Sequence, residues 1–501
     1  MIKKRVLLCI IGCINCFLCS SQNNAREQYE AFRNQAKQEY EDFRKRANQD
    51  YADFVRKAWE SYQTLPAISM PKDDEIKPVI IKEEDKNKSI EDHPVVIDEI
   101  IDTPEPKPQP KPVAPIREQP SPTDDHVTFT LYGTDMSVRA NDAIAFRLKD
   151  IQINSIASAW ETFATTEYDN LIRDCLENRI RYQLSDWAYL QMLNTLANSL
   201  MGEGSNESEL LKAYLYCQSG YQMRLALADN HLYMLYASQY FIFDKTCWQI
   251  DGVFYYADNI KAEEIQICEA TFPNEQALSL QITHEQALNS KASKKRTITA
   301  QDADWLSVTV LEDENLMAFY QDYPSSYFGD NFMTRWALYA NTPLSQAAQK
   351  QLYPSFKEMF ATIAEANKKE GLAEENVLPI CVDMLCHWVQ TAFVYEYDDK
   401  VWGHDRAFFA DETLFYPYCD CEDRSILLTR LVRDLLGLKC ALVYYPGHLA
   451  TAIAIGENIK GDYIRINGIK YIVCDPTYIG ASIGMTMPDM DNQSAKVIVL
   501  N

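Results

Sequence analysis

Cys419 and Cys421 stand one residue apart in FYPYCDCEDRSILLTRLVRDLLGL, residues 415–438. Four chemistries suit such a pair: a metal knuckle, a disulfide, two structural thiols, or a nucleophile at the start of a helix. Zinc needs about four ligands, and no second pair stands at usable spacing. A Cys419–Cys421 disulfide would close a tight, strained ring. The apolar spacing over 424–436 predicts an amphipathic helix that Cys421 opens and Gly437 caps. A helix N-terminus offers free N–H groups and partial positive charge, which favour a thiolate. A nucleophilic thiol also needs an imidazole to hold its proton and a third group to orient that imidazole. His448 leads a strand in GHLATAIA, and no histidine follows it. Asp475 ends a later strand in VCDPT. A satisfied buried histidine and a carboxylate capping the turn at Pro476 are the competing readings of these two residues.

These residues and their order resemble the transglutaminase-like superfamily, whose core is papain-like. The matching text is DCEDRSILLTRLVRDLLGLK (420–439), GHLATAIA (447–454) and YIVCDPTY (471–478). The match is close over roughly the last fifth of the chain and loose over roughly the last two fifths. The resemblance implies an enzyme acting on amide bonds, with Cys421 as nucleophile, His448 as base and Asp475 as orienter. It implies a peptide or protein substrate. The sequence points to no metal and no other cofactor. Many family members carry an aromatic residue two places after the histidine, where Ala450 stands here. Trp402, Tyr416 and Tyr418 lie near enough in sequence to assist the oxyanion. Glu422 and Asp423 suit a helix N-terminus but would raise a neighbouring thiol's pKa.

Helix, strand with histidine and strand with aspartate require an α+β scaffold, and the chain spells that order twice. A shift of 217 residues sets Ser425 on Ser208, Leu427 and Leu428 on Leu210 and Leu211, and Gly437 on Gly220. It also sets His448 on His231, Asp475 on Asp258, and Cys421 on Gly204. The fold expected is therefore a papain-like, transglutaminase-type domain, duplicated. A copy that lost its cysteine covers 127–285, and a catalytic copy covers 300–501. Within the first, helices are expected over 154–202, then strand-like runs YQMRLALA, HLYMLYAS and WQIDGVFYYAD.

The residues before Val127 differ in kind. MIKKRVLLCIIGCINCFLCSSQ reads as an export signal over 1–21, with Lys3, Lys4 and Arg5 before an apolar run too short to span a bilayer. In a second reading, IIGC makes Cys13 a lipidated N-terminus. Over 22–63, alanine (Ala25, Ala36, Ala47, Ala58) and tyrosine (Tyr29, Tyr40, Tyr51, Tyr62) recur every 11 residues. That period predicts a long hendecad helix for self-association or partner binding, or a solvated stalk. Residues 64–126 are rich in proline and charge and predict a disordered linker.

The chain has 501 residues and a net charge of -24, which disfavours nucleic acid. Its ten cysteines beyond the signal are too dilute for a disulfide scaffold. Together these features predict a protein exported to the periplasm or surface of a bacterium, touching membrane only through a lipid anchor. Two functions compete: a thiol peptidase or amidase (hydrolysis favoured over cross-linking), and a non-catalytic envelope assembly protein on the same scaffold.

Overall fold

The computed structural model describes residues 62–63, 78–86, 90–113, 116, 125–163, 166–243, 245–258, 260, 265–268, 275–371, 373–490 and 494–501. The expected signal, Cys13 and the hendecad helix up to residue 61 lie outside these residues. Tyr62–Gln63, the end of the expected helix, is instead a short strand, β1, whose backbone pairs with a later strand at Gln266 and Ile265. Among the described residues no helix is long and apolar enough to cross a membrane.

The fold is α+β. The first unit opens with a hairpin, β5 (His126–Leu131) and β6 (Thr134–Arg139). Helices α1 (Ile153–Thr162), α2 (Thr166–Arg181), α3 (Asp186–Met201) and α4 (Asn206–Gln218) follow. Strands β7 (Met223–Ala228), β8 (His231–Ser238), β9 (Tyr240–Ile242), β10 (Cys247–Ile250), β11 (Val253–Tyr256) and β12 (Ile265–Cys268) complete it. The expected run WQIDGVFYYAD is thus not one strand. Asp251 and Gly252, both at positive φ, fold it into the hairpin β10–β11, as a D-G pair favours.

The second unit begins with another hairpin, β13 (Ala292–Ala300) and β14 (Ala303–Asp313). After it come α5 (Glu314–Gln321), β15 (Ser326–Phe328), α6 (Arg335–Asn341), α7 (Gln346–Lys369) and α8 (Val377–Ala392). The site segment holds β16 (Val394–Tyr395), α9 (Asp398–Val401), α10 (Ala410–Phe415), β17 (Tyr418–Cys419) and α11 (Cys421–Leu436). Last come β18 (Cys440–Tyr445), β19 (His448–Ile453), β20 (Asp462–Ile466), β21 (Ile469–Cys474), β22 (Tyr478–Ile479) and β23 (Ala495–Val499).

The two sheets share one strand order. The first runs β12-β7-β8-β11-β10 after β1, and the second runs β23-β18-β19-β21-β20. In each, the helix of the 217-residue correspondence, α4 or α11, precedes the central hairpin. The units are not separate bodies. The largest apolar cluster contains Leu211, Tyr214 and Tyr236 of the first together with Cys421, Ile426, Leu442 and Leu449 of the second. Strands β9 and β15 also pair across them.

Part of the expected linker is ordered. β2 (Val79–Ile80) runs parallel to β22, β3 (His93–Pro94) to β20, and β4 (Ile97–Ile101) to β23. β3 and β4 thus form the two outer strands of the second sheet. The segment VIIKEEDKNKSIEDHPVVIDEII carries enough β-branched residues to pair, and Ile81 and Ile101 are buried. Beyond β4 the chain crosses the first unit: Gln109 Nε2 donates to the Leu184 carbonyl and Arg179 Nη2 donates to the Pro110 carbonyl. Where it passes Gly220, a Cβ would meet the Lys111 carbonyl oxygen at 1.9 Å.

Candidate active site

Helix α11 is fixed at both ends by its own sequence. The Asp420 side chain accepts from the Asp423 amide, and the Asp423 carboxylate accepts from the Asp420 amide at 3.2 Å, a reciprocal cap. Gly437 closes the helix in the left-handed conformation at φ 67°. Leu427, Leu428, Leu431 and Val432 bury the stripe between them. Cys421 is the first helical residue and is 8% exposed. The Ser425 hydroxyl donates to the Leu449 carbonyl at 2.9 Å, so the helix start is fastened beside the start of β19, where His448 stands.

His448 and Asp475 are buried together. Their Nε2 and Oδ2 atoms are 2.8 Å apart. Asp475 Oδ1 accepts from the amides of Thr477 and Tyr478 at 2.8 and 3.2 Å. The turn at Pro476 therefore aims the other carboxylate oxygen at the imidazole. Among the described residues, His448 Nδ1 has no hydrogen-bond partner. The Cys421 thiol donates to Glu422 Oε2 at 3.2 Å and is not hydrogen-bonded to the imidazole. Burial, then the Glu422 and Asp420 carboxylates, push this thiol well above its usual range, while the Leu449 amide pulls the other way. At rest Cys421 is a neutral thiol.

Carboxylates crowd the helix start, and the sequence spacing conceals this. Asp398, on α9 far upstream, comes within a 4.8 Å cluster of donor atoms with Asp420 and Asp423, and in another with Asp405 and Glu422. Asp420, Cys421 and Glu422 form a third. These are the groups through which the site would hold a cation. Burial and mutual repulsion raise Asp398 to about 10 and raise Asp420 and Asp423 well above the carboxylate range.

Of the three aromatic residues near in sequence, Tyr418 is 43% exposed. The rings of Trp402 and Tyr416 meet at 4.9 Å, with the Arg406 guanidinium over both. The residue that sequence reasoning missed is Tyr395. It pairs with Cys419 through β16 and β17 and lies under Arg424, 5.2 Å from guanidinium to ring centre. Burial, then Cys421, Asp420 and Glu422, push its phenol up, so it stays a proton donor. No spacing rule pointed to it, because β16–β17 is a parallel contact between distant segments.

The corresponding positions of the first unit hold no such group. Gly204 stands in the turn before α4, His231 is exposed, and Asp258 Oδ1 accepts from Lys245 Nζ at 2.8 Å. All ten described cysteines are free and buried. No protein-family model matches this chain, and no curated protein or solved structure matches it.

Proposed function

We propose that this protein is an exported thiol enzyme of transglutaminase-like, papain-like architecture that cleaves amide bonds through Cys421, His448 and Asp475. One observation carries the reading: a buried imidazole is oriented by Asp475 through Nε2 and keeps Nδ1 without a partner among the described residues, while a helix-terminal thiol meets the amide of the next residue, Leu449. Nδ1 takes the thiol proton as Sγ attacks the substrate carbonyl, and Asp475 stabilises the imidazolium. The oxyanion is received by Tyr395 and the first-turn amides of α11. Collapse expels the amine with the proton from His448 and leaves a thioester, which water hydrolyses. An amine in place of water would give transfer. The repeated strand order supports an origin by duplication, with the 127–285 copy catalytically empty.

The raised thiol favours a second reading, a non-catalytic envelope assembly protein. Acylation by p-nitrophenyl acetate, followed by mass spectrometry of the Cys421 peptide, separates the two. An enzyme gives an acetyl thioester on Cys421, formed at least about a hundredfold more slowly in His448→Ala. Equal, slow acylation in both proteins would leave the assembly reading standing.

A further inference from the structure

Gln390, on α8 and 1% exposed, belongs to none of the roles above. Its Nε2 donates to the Asp475 carbonyl at 3.0 Å and to the Ala481 carbonyl at 3.1 Å. Its Oε1 accepts from the Gly480 amide at 3.0 Å. One side chain thus grips both ends of the 475–481 loop, from the backbone of Asp475 to the return at Ala481. The Gln390 main-chain carbonyl accepts from Arg424 Nη1 at 3.0 Å, and that nitrogen also reaches the Pro476 carbonyl at 3.4 Å. Arg424 Nη2 donates to the Phe393 carbonyl at 2.9 Å. Arg424 is three residues beyond Cys421 on α11, so the nucleophile's helix, α8 and the loop behind Asp475 are joined by one buried polar network.

Burying an amide and a guanidinium is costly unless their donors are met, and apolar side chains would fill the same space without that requirement. Shape alone therefore does not explain these residues. What the network fixes is direction. The Asp475 carboxylate is aimed by the amides of Thr477 and Tyr478, inside the loop that Gln390 holds, and a change in that aim would alter the contact to His448 Nε2.

We propose that Gln390 is a positioning residue: through the 475–481 loop it sets the Asp475–His448 hydrogen bond, with Arg424 referring that loop to the helix of Cys421. The proposal rests on the amide-cleaving reading for its consequence in catalysis, but its geometry is testable without any turnover.

The test uses the full chain and Gln390→Asn, one methylene too short to reach both carbonyls. Leu352→Val, in the buried face of α7 away from the loop, serves as a reference of comparable thermal destabilisation. Proton NMR follows the imidazole N–H resonance that His448→Ala abolishes. In Gln390→Asn this resonance should broaden or move upfield and exchange at least about tenfold faster with solvent, while Leu352→Val leaves it in place. Cys421 acylation should slow in parallel only in Gln390→Asn. Equal exchange in the two variants at matched melting temperature would overturn the proposal. If Gln390→Asn does not fold, Arg424→Lys is read the same way, since a single ammonium nitrogen does not reproduce the planar fork whose two nitrogens reach the Gln390, Pro476 and Phe393 carbonyls. An altered resonance with acylation indifferent to His448 would uphold the positioning and refute the enzymatic reading.

Discussion

At the scale of single residues, the site is an accumulation of acid around a thiol. The helix start that should favour a thiolate carries Asp420, Glu422 and Asp423, and the fold adds Asp398. Burial raises Asp398 to about 10, and raises Glu412 and Asp411 of α10 to about 7 and about 6. A raised acid binds more protons folded than unfolded, so its contribution to stability is complete below about pH 4 and declines as pH rises through these values. Stability should therefore fall between about pH 4 and pH 8, against the usual trend for acidic residues. Asp398→Asn keeps an oxygen for the Arg406 amide, which now donates to Asp398 Oδ2 at 2.6 Å, and replaces a carboxyl that must take up a proton to be buried at neutral pH. It should raise stability by on the order of 2 kcal/mol at neutral pH and flatten the decline. Denaturant titrations across that range read this directly, and an unchanged slope would count against the crowding. The cysteine, histidine and aspartate were legible because each stands at an element boundary that the sequence marks: a capped helix start, a glycine turn, a proline. Asp398, Tyr395 and Gln390 were not, since each reaches the site through tertiary contacts between segments that no local pattern links.

Elements were legible where periodicity and punctuation agreed. The α11 stripe and its Gly437 cap fall where the spacing placed them. The long apolar run before Asp258 misled because its D-G turn is embedded in aromatic and aliphatic residues that mask the break. Gly220 and Gly437 illustrate how one sequence signal serves two structural ends. Both sit at positive φ just past a helix, at 96° and 67°. A Cβ on Gly437 would find nothing within 4 Å, whereas one on Gly220 would run into the backbone of Lys111. Gly437→Ala should cost about 1 kcal/mol, the conformational term alone. Gly220→Ala should cost at least about twice that, because residues 110–111 must move. Comparable losses in urea denaturation would show that the crossing segment yields freely.

The molecule as a whole is less divisible than its sequence. Two units with the same strand order share an apolar cluster, and the segment read as a free linker returns to the second unit to pair with it. Composition hid this: proline and charge dominate 64–126, and the short β-branched stretch inside it is too brief to announce strands on its own. Its placement has a consequence for how copies of the protein meet one another. A sheet border with unpaired amides and carbonyls invites a strand from another chain, and β3 and β4 occupy both borders of the second sheet. Both added strands are themselves poor templates: β3 is two residues long and contains Pro94, and β4 carries the exposed Asp98 and Glu99. Removal of residues 1–101 by truncation or proteolysis should leave β20 and β23 bare. Sedimentation velocity should then find concentration-dependent oligomers that the full chain does not form; an unchanged distribution would mean that the borders are protected by other means. Loss of the N-terminal segment would thus turn a sheet with guarded borders into one that accepts strands from other copies of the chain.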